Sequence, residues 1–383
     1  MKYSENVNIR IFQGWIPEYR VALFDGIAER YRGRVEVWAS WGEATGDRHS
    51  RTLAIAKYDY SHPVHEFGKI YWQSRMSVKG LKKGDVLVVG GSIHYFSTLW
   101  TCLMAKLRGV RIVWWSHHMS PTSTELSAKI RFAIMNMIHV DSVLLYTRAG
   151  IDWMRARGYK HPRIFATGNT LDTKKIDDAI RRYDNATLLQ WRRENRVDSG
   201  NLLLFCSVIR EKSQLDIAIK ALASPELTGR DCRLAVVGDG PAKDHCVELA
   251  KELNVSERVL WLGAIRDQDA LAPWFLSAKL FVYPGSIGLS ILHSLAYGLP
   301  VVVNDCASHN GPEYEVLEEG VNGYSFQEGN VESLASVVAR ALESQEQLKS
   351  LGKNGFDTVR RKYSMDAMVS NFCEAIEAAH TWK

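Results

Sequence analysis

Short runs of aliphatic, β-branched and aromatic residues recur along the chain, and amphipathic helical patterns lie between them. This alternation predicts parallel strands covered by helices on both faces. The first series of predicted strands is Val7–Phe12, Val35–Ala39, Asp85–Val89, Arg111–Trp115, Ser142–Tyr146 and Arg163–Thr167. The second series is Leu202–Val208, Arg233–Val237, Arg258–Leu262, Leu280–Tyr283 and Pro300–Asn304. The pattern therefore predicts an α/β protein with two doubly wound parallel sheets.

A charged, helix-prone segment, residues 172–201, separates the two series, and three helical patterns follow Phe326. We predict one Rossmann-like domain over residues 1–175 and a second over residues 176–363. A final helix within residues 364–383 is expected to pack back on the first domain. Two such domains in tandem create a cleft at the carboxyl ends of both sheets, where α/β proteins bind ligands.

Net charge differs between the two halves of this 383-residue chain. Residues 1–172 contain 24 Lys and Arg against 14 Asp and Glu, together with eight of the twelve tryptophans. The remainder is acidic. Because Trp and basic side chains suit the headgroup region of a membrane, we expect the first half to meet an anionic membrane surface or a phosphate-bearing acceptor; a solvated basic face is the alternative.

Other classes of protein fit the composition poorly. The basic residues are spread without a recognisable nucleic-acid-binding motif, so no nucleic-acid partner is expected. We find neither a signal-peptide pattern nor an apolar run long enough to span a membrane, and the six cysteines form no C-x-x-C pair. We therefore expect a cytoplasmic protein with reduced thiols, bound at most to the inner membrane face.

Two strand-to-helix turns in the second half are rich in glycine. The first is Leu234-Ala-Val-Val-Gly238-Asp-Gly240-Pro241, in which two glycines permit a tight turn. The second passes from Pro284 through Gly285-Ser286-Ile287-Gly288-Leu289 into a helix predicted to begin near Gly288. Free backbone N–H groups at a helix start form a ready site for an anion such as a diphosphate.

Together these turns resemble the C-terminal domain of the family-4 glycosyltransferases of the GT-B superfamily. Asn169-Thr-Leu-Asp172 and Glu319-Gly320-Val-Asn-Gly323 are similar to further motifs of that family, and the resemblance extends over nearly the whole chain. It implies the GT-B fold, a nucleotide-sugar donor on the second domain, a glycan or lipid-linked acceptor on the first, and retention of anomeric configuration without a metal ion or other cofactor. The donor contacts that it implies are Gly238, Ser286, Ile287, Gly288 and Leu289.

The chain departs from the family in its acidic residues. Members usually carry two glutamates separated by seven residues, and those positions are Gly285 and His293 here. His293 is predicted to contact the donor ribose or, equally well, to be a packing residue. Glu313, after the turn Gly311-Pro312, is our candidate for the missing acceptor of a sugar-hydroxyl hydrogen bond; Glu315, or neither residue, is the alternative.

Two basic side chains follow the first strand of the second domain. The family places an Arg and a Lys there, and the positions in register are Val208 and Ser213. Arg210 and Lys212 lie in the same loop. We predict that one or both contact the donor diphosphate, against the alternative of solvated surface charges.

Candidate residues in the first half follow its strands. His117, which resembles the family histidine that faces the reacting sugar, is predicted to be catalytic, and His118 beside it to contact the acceptor. No third ligand at metal spacing accompanies this pair, so no metal is expected. Gly14 would allow the backbone to approach the donor. Arg20 is predicted to contact a phosphate on the donor or acceptor; pairing with Glu18 or capping the helix is the alternative. The Gly90-Gly91-Ser92 turn would also open the cleft. The helical stretches Ile130–Ile138 and Ile151–Arg157 are candidates for membrane contact; burial in the core is the alternative.

The sequence thus favours a nucleotide-sugar-dependent glycosyltransferase of surface polysaccharide or lipopolysaccharide assembly, by analogy with the family. The absent glutamate pair leaves a non-catalytic GT-B scaffold protein as one alternative, and a nucleotide-sugar epimerase is the other. The sugar, the nucleotide and the acceptor are not specified by the residues.

Overall fold

The computed structural model describes residues 6–14, 16–39, 57–59, 61–68, 70–91, 94–116 and 125–381. The chain forms two compact units. The first comprises Met1–Asn169 together with Met365–Lys383, and the second is Thr170–Ser364.

The first unit is built on a parallel sheet of seven strands. Its nine strands in chain order are β1 (Ile9–Gln13), β2 (Val35–Ala39), β3 (Lys57–Asp59), β4 (Val64–Phe67), β5 (Ile70–Gln73), β6 (Val86–Gly90), β7 (Arg111–Ser116), β8 (Ser142–Leu145) and β9 (Ile164–Ala166). The sheet order is β3-β2-β1-β6-β7-β8-β9, and β4 pairs with β5 as a separate antiparallel hairpin. The order reverses between β1 and β6, so the switch point of this sheet lies there.

Helices cover both faces of this first sheet. They are α1 (Val21–Arg30), α2 (Phe96–Leu107), α3 (Glu125–Met137) and α4 (Arg148–Ala156). Buried side chains of α2, α3 and α4 share one apolar core, whereas α1 contributes to the core on the opposite face. Because both faces are covered, the central strands β1, β6 and β7 are buried except at strand ends, as expected for a doubly wound sheet.

The second unit contains a parallel sheet of six strands. These are β10 (Asn201–Cys206), β11 (Cys232–Val237), β12 (Val259–Gly263), β13 (Leu280–Tyr283), β14 (Val301–Asn304) and β15 (Gly323–Phe326). Their order is β12-β11-β10-β13-β14-β15, which places the switch point between β10 and β13. The helices are α5 (Lys174–Arg182), α6 (Asn185–Glu194), α7 (Leu215–Leu222), α8 (Pro225–Thr228), α9 (Lys243–Glu252), α10 (Gln268–Ser277), α11 (Ser290–Ala296), α12 (Val331–Ala341) and α13 (Gln345–Lys362).

The final helix, α14 (Met365–His380), belongs to the first unit. Phe372 and Ile376 are fully buried in the core that α1 also lines. Ser142 Oγ donates a hydrogen bond of 2.8 Å to the Ala375 carbonyl, and Asn371 Nδ2 donates one of 3.1 Å to the Thr167 carbonyl. Apolar burial and side-chain hydrogen bonds therefore both hold α14 on this sheet.

The α/β fold with two parallel sheets is confirmed. The sequence pattern missed β3, the hairpin β4–β5 and β15, which are short or exposed. It also placed the start of α11 near Gly288, whereas the helix begins at Ser290 and is only seven residues long. No helix in the described ranges has the length and apolar character needed to cross a bilayer.

Candidate active site

The carboxyl ends of β10 and β13 flank the switch point of the second sheet. The segment after β10 makes a 3-10 turn at Glu211–Ser213, and the segment after β13 contains Gly285 and Gly288. The two segments are joined by backbone hydrogen bonds, from Gly285 N to Ser213 O at 3.2 Å and from Ser286 N to Lys212 O at 2.9 Å. The basic segment is thus fixed beside the glycine-rich one.

This close approach explains why a glycine occupies position 285. A Cβ atom on Gly285 would lie 2.1 Å from the Lys212 carbonyl oxygen, far inside van der Waals contact. A glutamate, which the resembling family has at this position, therefore does not fit against the 3-10 turn. The departure from the family motif has a steric cause in the backbone of the preceding segment.

Unused backbone donors mark the start of α11. The N–H groups of Gly285, Ser286 and Ile287 donate to Ser213 O, Lys212 O and Asn310 Oδ1. The next three N–H groups, those of residues 288–290, have no acceptor in the described part of the chain. Three adjacent unpaired N–H groups suit an anion, and they matter more here than the dipole of a seven-residue helix.

Two cations lie on the segment that is hydrogen-bonded through its backbone to Gly285 and Ser286. Arg210 and Lys212 are exposed, and neither forms an ion pair with a carboxylate of the described residues. Their charges are therefore available to a ligand. The positions that are in register with the family's basic pair are unsuited to this purpose, because Val208 is apolar and Ser213 is buried with its hydroxyl bonded to the Arg210 backbone.

Glu313 lies at the same edge of the sheet, in a 3-10 turn over Pro312–Val316. Its side chain is buried, at 5% exposure. The Oε2 atom lies 3.8 Å from the position that a Cβ on Gly288 would take, and 2.5 Å from that of a Cβ on Gly311. The structure thus brings the predicted carboxylate beside the predicted donor turn. Gly311, which has no side chain, leaves room for the carboxylate.

His293 is a packing residue with one polar contact. Its Nε2 lies 3.3 Å from Gln268 Oε1, which also accepts a hydrogen bond of 2.8 Å from the Tyr297 hydroxyl. The ring packs on Phe275 with centroids 4.8 Å apart. Burial among these rings lowers the pKa of His293 to about 4, so the imidazole is neutral at physiological pH.

Gly238 has a role in packing between segments. It adopts a φ of +151°, and a Cβ there would lie 1.9 Å from the Ser207 carbonyl oxygen. The turn after β11 therefore lies directly against the segment after β10. Its influence on a donor is structural, through the position of residues 207–213, whereas direct contact remains a prediction.

Two asparagines, to which sequence reasoning assigned no role, hold the site together. Asn304 is fully buried at the end of β14, and its Nδ2 donates to the carbonyls of Pro284 at 3.0 Å and Gly285 at 2.6 Å. Asn310 Oδ1 accepts the Ile287 N–H at 2.9 Å. An Asn at the carboxyl end of an apolar strand was the available signal, since an amide can satisfy several loop carbonyls and N–H groups at once.

The carboxyl edge of the first sheet carries Arg20. Its guanidinium donates to Gln13 Oε1 at 2.9 Å and to the Tyr146 hydroxyl at 2.6 Å, and it lies over the Trp115 ring at 4.8 Å. No carboxylate among the described side chains neutralises it. The second predicted contact, Gly14, follows β1 at the same edge, and its Cβ position lies 3.3 Å from the Tyr95 hydroxyl. The predicted residues Ser92, His117 and His118 lie outside the described residues.

Comparison with known proteins finds a family match within the second unit. Residues 189–358, which include all of the segments around the β10–β13 switch point, match the family model of glycosyl transferases group 1. The matched segment lies within the second unit, Thr170–Ser364. A curated relative is N-acetyl-alpha-D-glucosaminyl L-malate synthase of Bacillus anthracis, with 26% identity over 51% of this chain and 50% of the relative. A second is lipopolysaccharide 1,6-galactosyltransferase of Escherichia coli K12, with 25% identity over 28% of this chain and 30% of the relative.

Similarity to solved structures extends beyond the group 1 domain. The structure of Anabaena Alr3699/HepE in complex with UDP superposes with a TM-score of 0.67 at 16% identity, over 96% of this chain and 98% of that one. With two parallel α/β units and this neighbour, the fold is GT-B, as the resemblance implied. The chain spans half or less of the length of the two curated relatives named above.

Proposed function

We propose that this protein is a glycosyltransferase that binds a nucleotide-sugar donor on its second unit and passes the sugar to an acceptor held by its first unit. One observation carries the proposal. Among the described residues, the N–H groups of residues 288–290 and the cations Arg210 and Lys212 have no partner, and they lie on the segments that flank the switch point of the region matching glycosyl transferases group 1. That arrangement suits a pyrophosphate, and a GT-B neighbour was solved in complex with UDP, which supports a nucleotide as part of the donor.

The chemical need is to stabilise a departing diphosphate. When the bond between the anomeric carbon and the diphosphate oxygen breaks, negative charge develops on the leaving group and the sugar becomes oxocarbenium-like. Fixed N–H donors and cations stabilise that charge without reorganisation. We propose that Arg210 and Lys212 perform the role for which other transferases use a divalent cation, and that transfer proceeds with retention. Turnover should then persist in EDTA.

Glu313 is our proposed contact to the donor sugar. It is buried, it lies beside Gly288, and the glutamate position of the family at residue 285 is closed by the Lys212 backbone. A carboxylate at this place can accept hydrogen bonds from sugar hydroxyls and orient the ring. The two histidines at 117 and 118 keep the catalytic and acceptor roles predicted from the sequence.

Arg20 is our proposed contact to the acceptor. Its two terminal nitrogens donate to neutral partners, Gln13 and Tyr146, and no described carboxylate pairs with it at the carboxyl edge of the first sheet. An acceptor with a phosphate or carboxylate group is therefore favoured. Because relatives are named as lipopolysaccharide transferases, we propose a glycan or lipid-linked acceptor of surface-polysaccharide assembly.

The first unit has an apolar surface that fits a membrane-bound acceptor. Phe96, Trp100, Leu103 and Leu107 form one exposed stripe along α2, at the spacing of a helix face, with Trp100 56% and Leu107 73% exposed. Leu126, Ile130 and Met137 form a similar exposed stripe on α3, which covers the same face of the sheet. By contrast, Ile151 and Trp153 of α4 pack against the core. We therefore place the membrane surface on α2 and α3 rather than on α4.

We propose that this α2–α3 surface binds the membrane interface. Arg108 and Lys129 lie on it, and the absence of acidic residues from α2 favours anionic lipid. The test is co-sedimentation with vesicles of phosphatidylglycerol or phosphatidylcholine. Wild type should sediment with the anionic vesicles, whereas Trp100→Glu/Leu107→Glu should not. Leu189→Glu, an exposed leucine of the second unit, is the matched control. Equal sedimentation of all three proteins would contradict a membrane role for the surface. If wild type is a dimer and the double variant is a monomer, the surface instead binds a second copy of this chain.

The activity itself is tested by a thermal-shift screen against UDP-, GDP- and dTDP-sugars, followed by product analysis. A true donor binds only the folded state and raises Tm. Transfer to an added glycan or lipid-linked acceptor, with the released nucleoside diphosphate in equal amount, is the expected result. Donor binding without transfer or hydrolysis would favour the scaffold alternative, and an isomerised donor without acceptor would favour the epimerase.

A further inference from the structure

A cluster of three side chains with different ligand chemistry lies beside the candidate active site. Cys306 and His309 follow β14, and Glu328 follows β15. A sulfur, a ring nitrogen and a carboxylate oxygen of these residues all lie within 4.8 Å of one another. His309 Nδ1 is 2.8 Å from Glu328 Oε1, and Cys306 Sγ is 3.3 Å from Ser308 Oγ.

The backbone that carries these residues is already fixed. The Cys306 N–H donates to Asn304 Oδ1 at 3.0 Å, and Asn310 Nδ2 donates to the Cys306 carbonyl at 3.1 Å. The Glu328 N–H donates to Asp305 Oδ1 at 3.0 Å. Because these bonds hold both segments, binding a ligand at the cluster requires only side-chain rotation and little ordering of the chain.

We propose that Cys306, His309 and Glu328 bind a zinc-class transition-metal ion. Thiolate, imidazole and carboxylate are the three ligand types of such ions, and three protein ligands with a fourth position open to solvent form a typical open site. At ligand distances of about 2.0–2.3 Å, tetrahedral geometry places ligand atoms roughly 3.3–3.7 Å apart, so the cluster needs to contract by only about 1 Å. Mg²⁺ and Ca²⁺ are disfavoured because they prefer oxygen ligands.

The ion would be coupled to the donor turn, a consequence that rests on the proposed function. Ser286 Oγ donates to the His309 carbonyl, and Asn310 Oδ1 holds the Ile287 N–H at 2.9 Å. The same loop that carries two of the metal ligands therefore positions the residues that precede the free N–H groups at Gly288. Zinc would favour the observed arrangement of this loop over alternatives and so raise donor affinity, while the chemistry of transfer continues without it.

The site is tested with Co²⁺ as a spectroscopic probe on chelator-treated, reduced full-length protein. We expect a saturable 1:1 thiolate-to-cobalt charge-transfer absorption that Zn²⁺ abolishes by displacement. Cys306→Ser should remove the absorption, and Glu328→Gln should weaken Co²⁺ affinity roughly tenfold or more. Cys246→Ser, which changes a buried free thiol of α9, should behave as wild type. Unchanged Tm in each variant, measured without metal, shows that the fold is intact. Absence of the charge-transfer absorption, or its persistence in Cys306→Ser, would overturn the site.

The coupling is measured separately, by calorimetric titration of UDP with and without one equivalent of Zn²⁺. We expect Zn²⁺ to raise UDP affinity by about fivefold or more in wild type and not in His309→Ala. Equal UDP affinity with and without Zn²⁺ would overturn the coupling. Failure of UDP, GDP and dTDP alike to bind in either condition, with a normal cobalt spectrum, would contradict the proposed function and leave the metal site supported.

Discussion

Glu313 and Gly288 are neighbours at the carboxyl edge of the second sheet: the Glu313 Oε2 atom lies 3.8 Å from the point that a Cβ on Gly288 would occupy. Residue 288 is also the first of three with an unpaired N–H group. A buried carboxylate and a set of anion-seeking donors therefore stand side by side. The carboxylate favours hydroxyl groups and the N–H groups favour an anion. Together they suit a ligand that has both, such as a nucleotide sugar.

Replacing Glu313 tests its proposed contact with the donor sugar. Glu313→Gln retains the shape and loses the charge, so we expect the kcat of transfer to fall roughly a hundredfold while affinity for the free nucleoside diphosphate stays near that of wild type. Glu315→Gln, two residues along the same 3-10 turn, is the control and should retain activity. Steady-state kinetics and UDP titration measure the two quantities. Equal activity of both variants would remove Glu313 from the site.

Gly311→Ala tests the same carboxylate without changing it. The added Cβ would lie 2.5 Å from Glu313 Oε2, so the carboxylate has to move, and we expect kcat to fall with a small change in Tm. Gly229→Ala is matched to it, because φ at Gly229 is −79° and a Cβ there meets nothing within 4 Å. The control should be neutral or slightly more stable. If kcat is the same in both variants, the exact position of Glu313 does not matter.

Position 285 offers a test of why the family glutamate is absent. Gly285→Glu restores the family residue, but its Cβ would lie 2.1 Å from the Lys212 carbonyl. We expect a loss of stability of about 1–3 kcal/mol and weaker donor binding, rather than higher activity. Thermal unfolding and donor titration measure both effects. A gain in turnover would show that the 3-10 turn moves aside when the substrate binds.

The sheets could be predicted from sequence because their strands are buried on both faces. β2 and β13 match the predicted bounds, because β13 is apolar throughout and β2 has one charged residue, Glu36, which is buried in an ion pair with Arg10. The hairpin β4–β5 was missed because Phe67, Ile70 and Trp72 are exposed and no buried periodic face marks it. Burial, rather than strand propensity, provided the signal.

The active site was only partly predictable, for a different reason. Arg210, Lys212 and Glu313 could be proposed from the sequence because they follow strands of a domain that resembles a known family. The steric exclusion at Gly285 depends on the Lys212 backbone, 73 residues earlier in the chain, and the two roles of Asn304 depend on which carbonyls the fold brings near it. Such relationships arise from tertiary contacts and leave no local pattern.

The environment of His293 predicts a pH dependence of stability. An unfolded histidine has a pKa of about 6.5, whereas burial lowers that of His293 to about 4. Above pH 6.5 both states are neutral and the full stability is present. As pH falls from about 6.5 to 4, the unfolded state takes up the proton and the folded state does not, so stability is lost. We expect Tm to fall less steeply over this window in His293→Gln than in wild type. His245→Gln, an exposed histidine of α9, should follow wild type; a slope of His293→Gln equal to that of wild type would contradict the assignment.

The central claim is that the switch point of the second sheet binds a nucleoside diphosphate through Arg210, Lys212 and the N–H groups that begin at Gly288. Isothermal titration of UDP, or of the diphosphate selected by the donor screen, into wild type, Lys212→Glu and Lys251→Glu tests it most directly. Lys251 is a surface lysine of the same unit that pairs with Glu248. We predict 1:1 binding to wild type and to the Lys251 variant, with an affinity roughly tenfold to a hundredfold lower for Lys212→Glu. Equal affinity of all three proteins would contradict the claim.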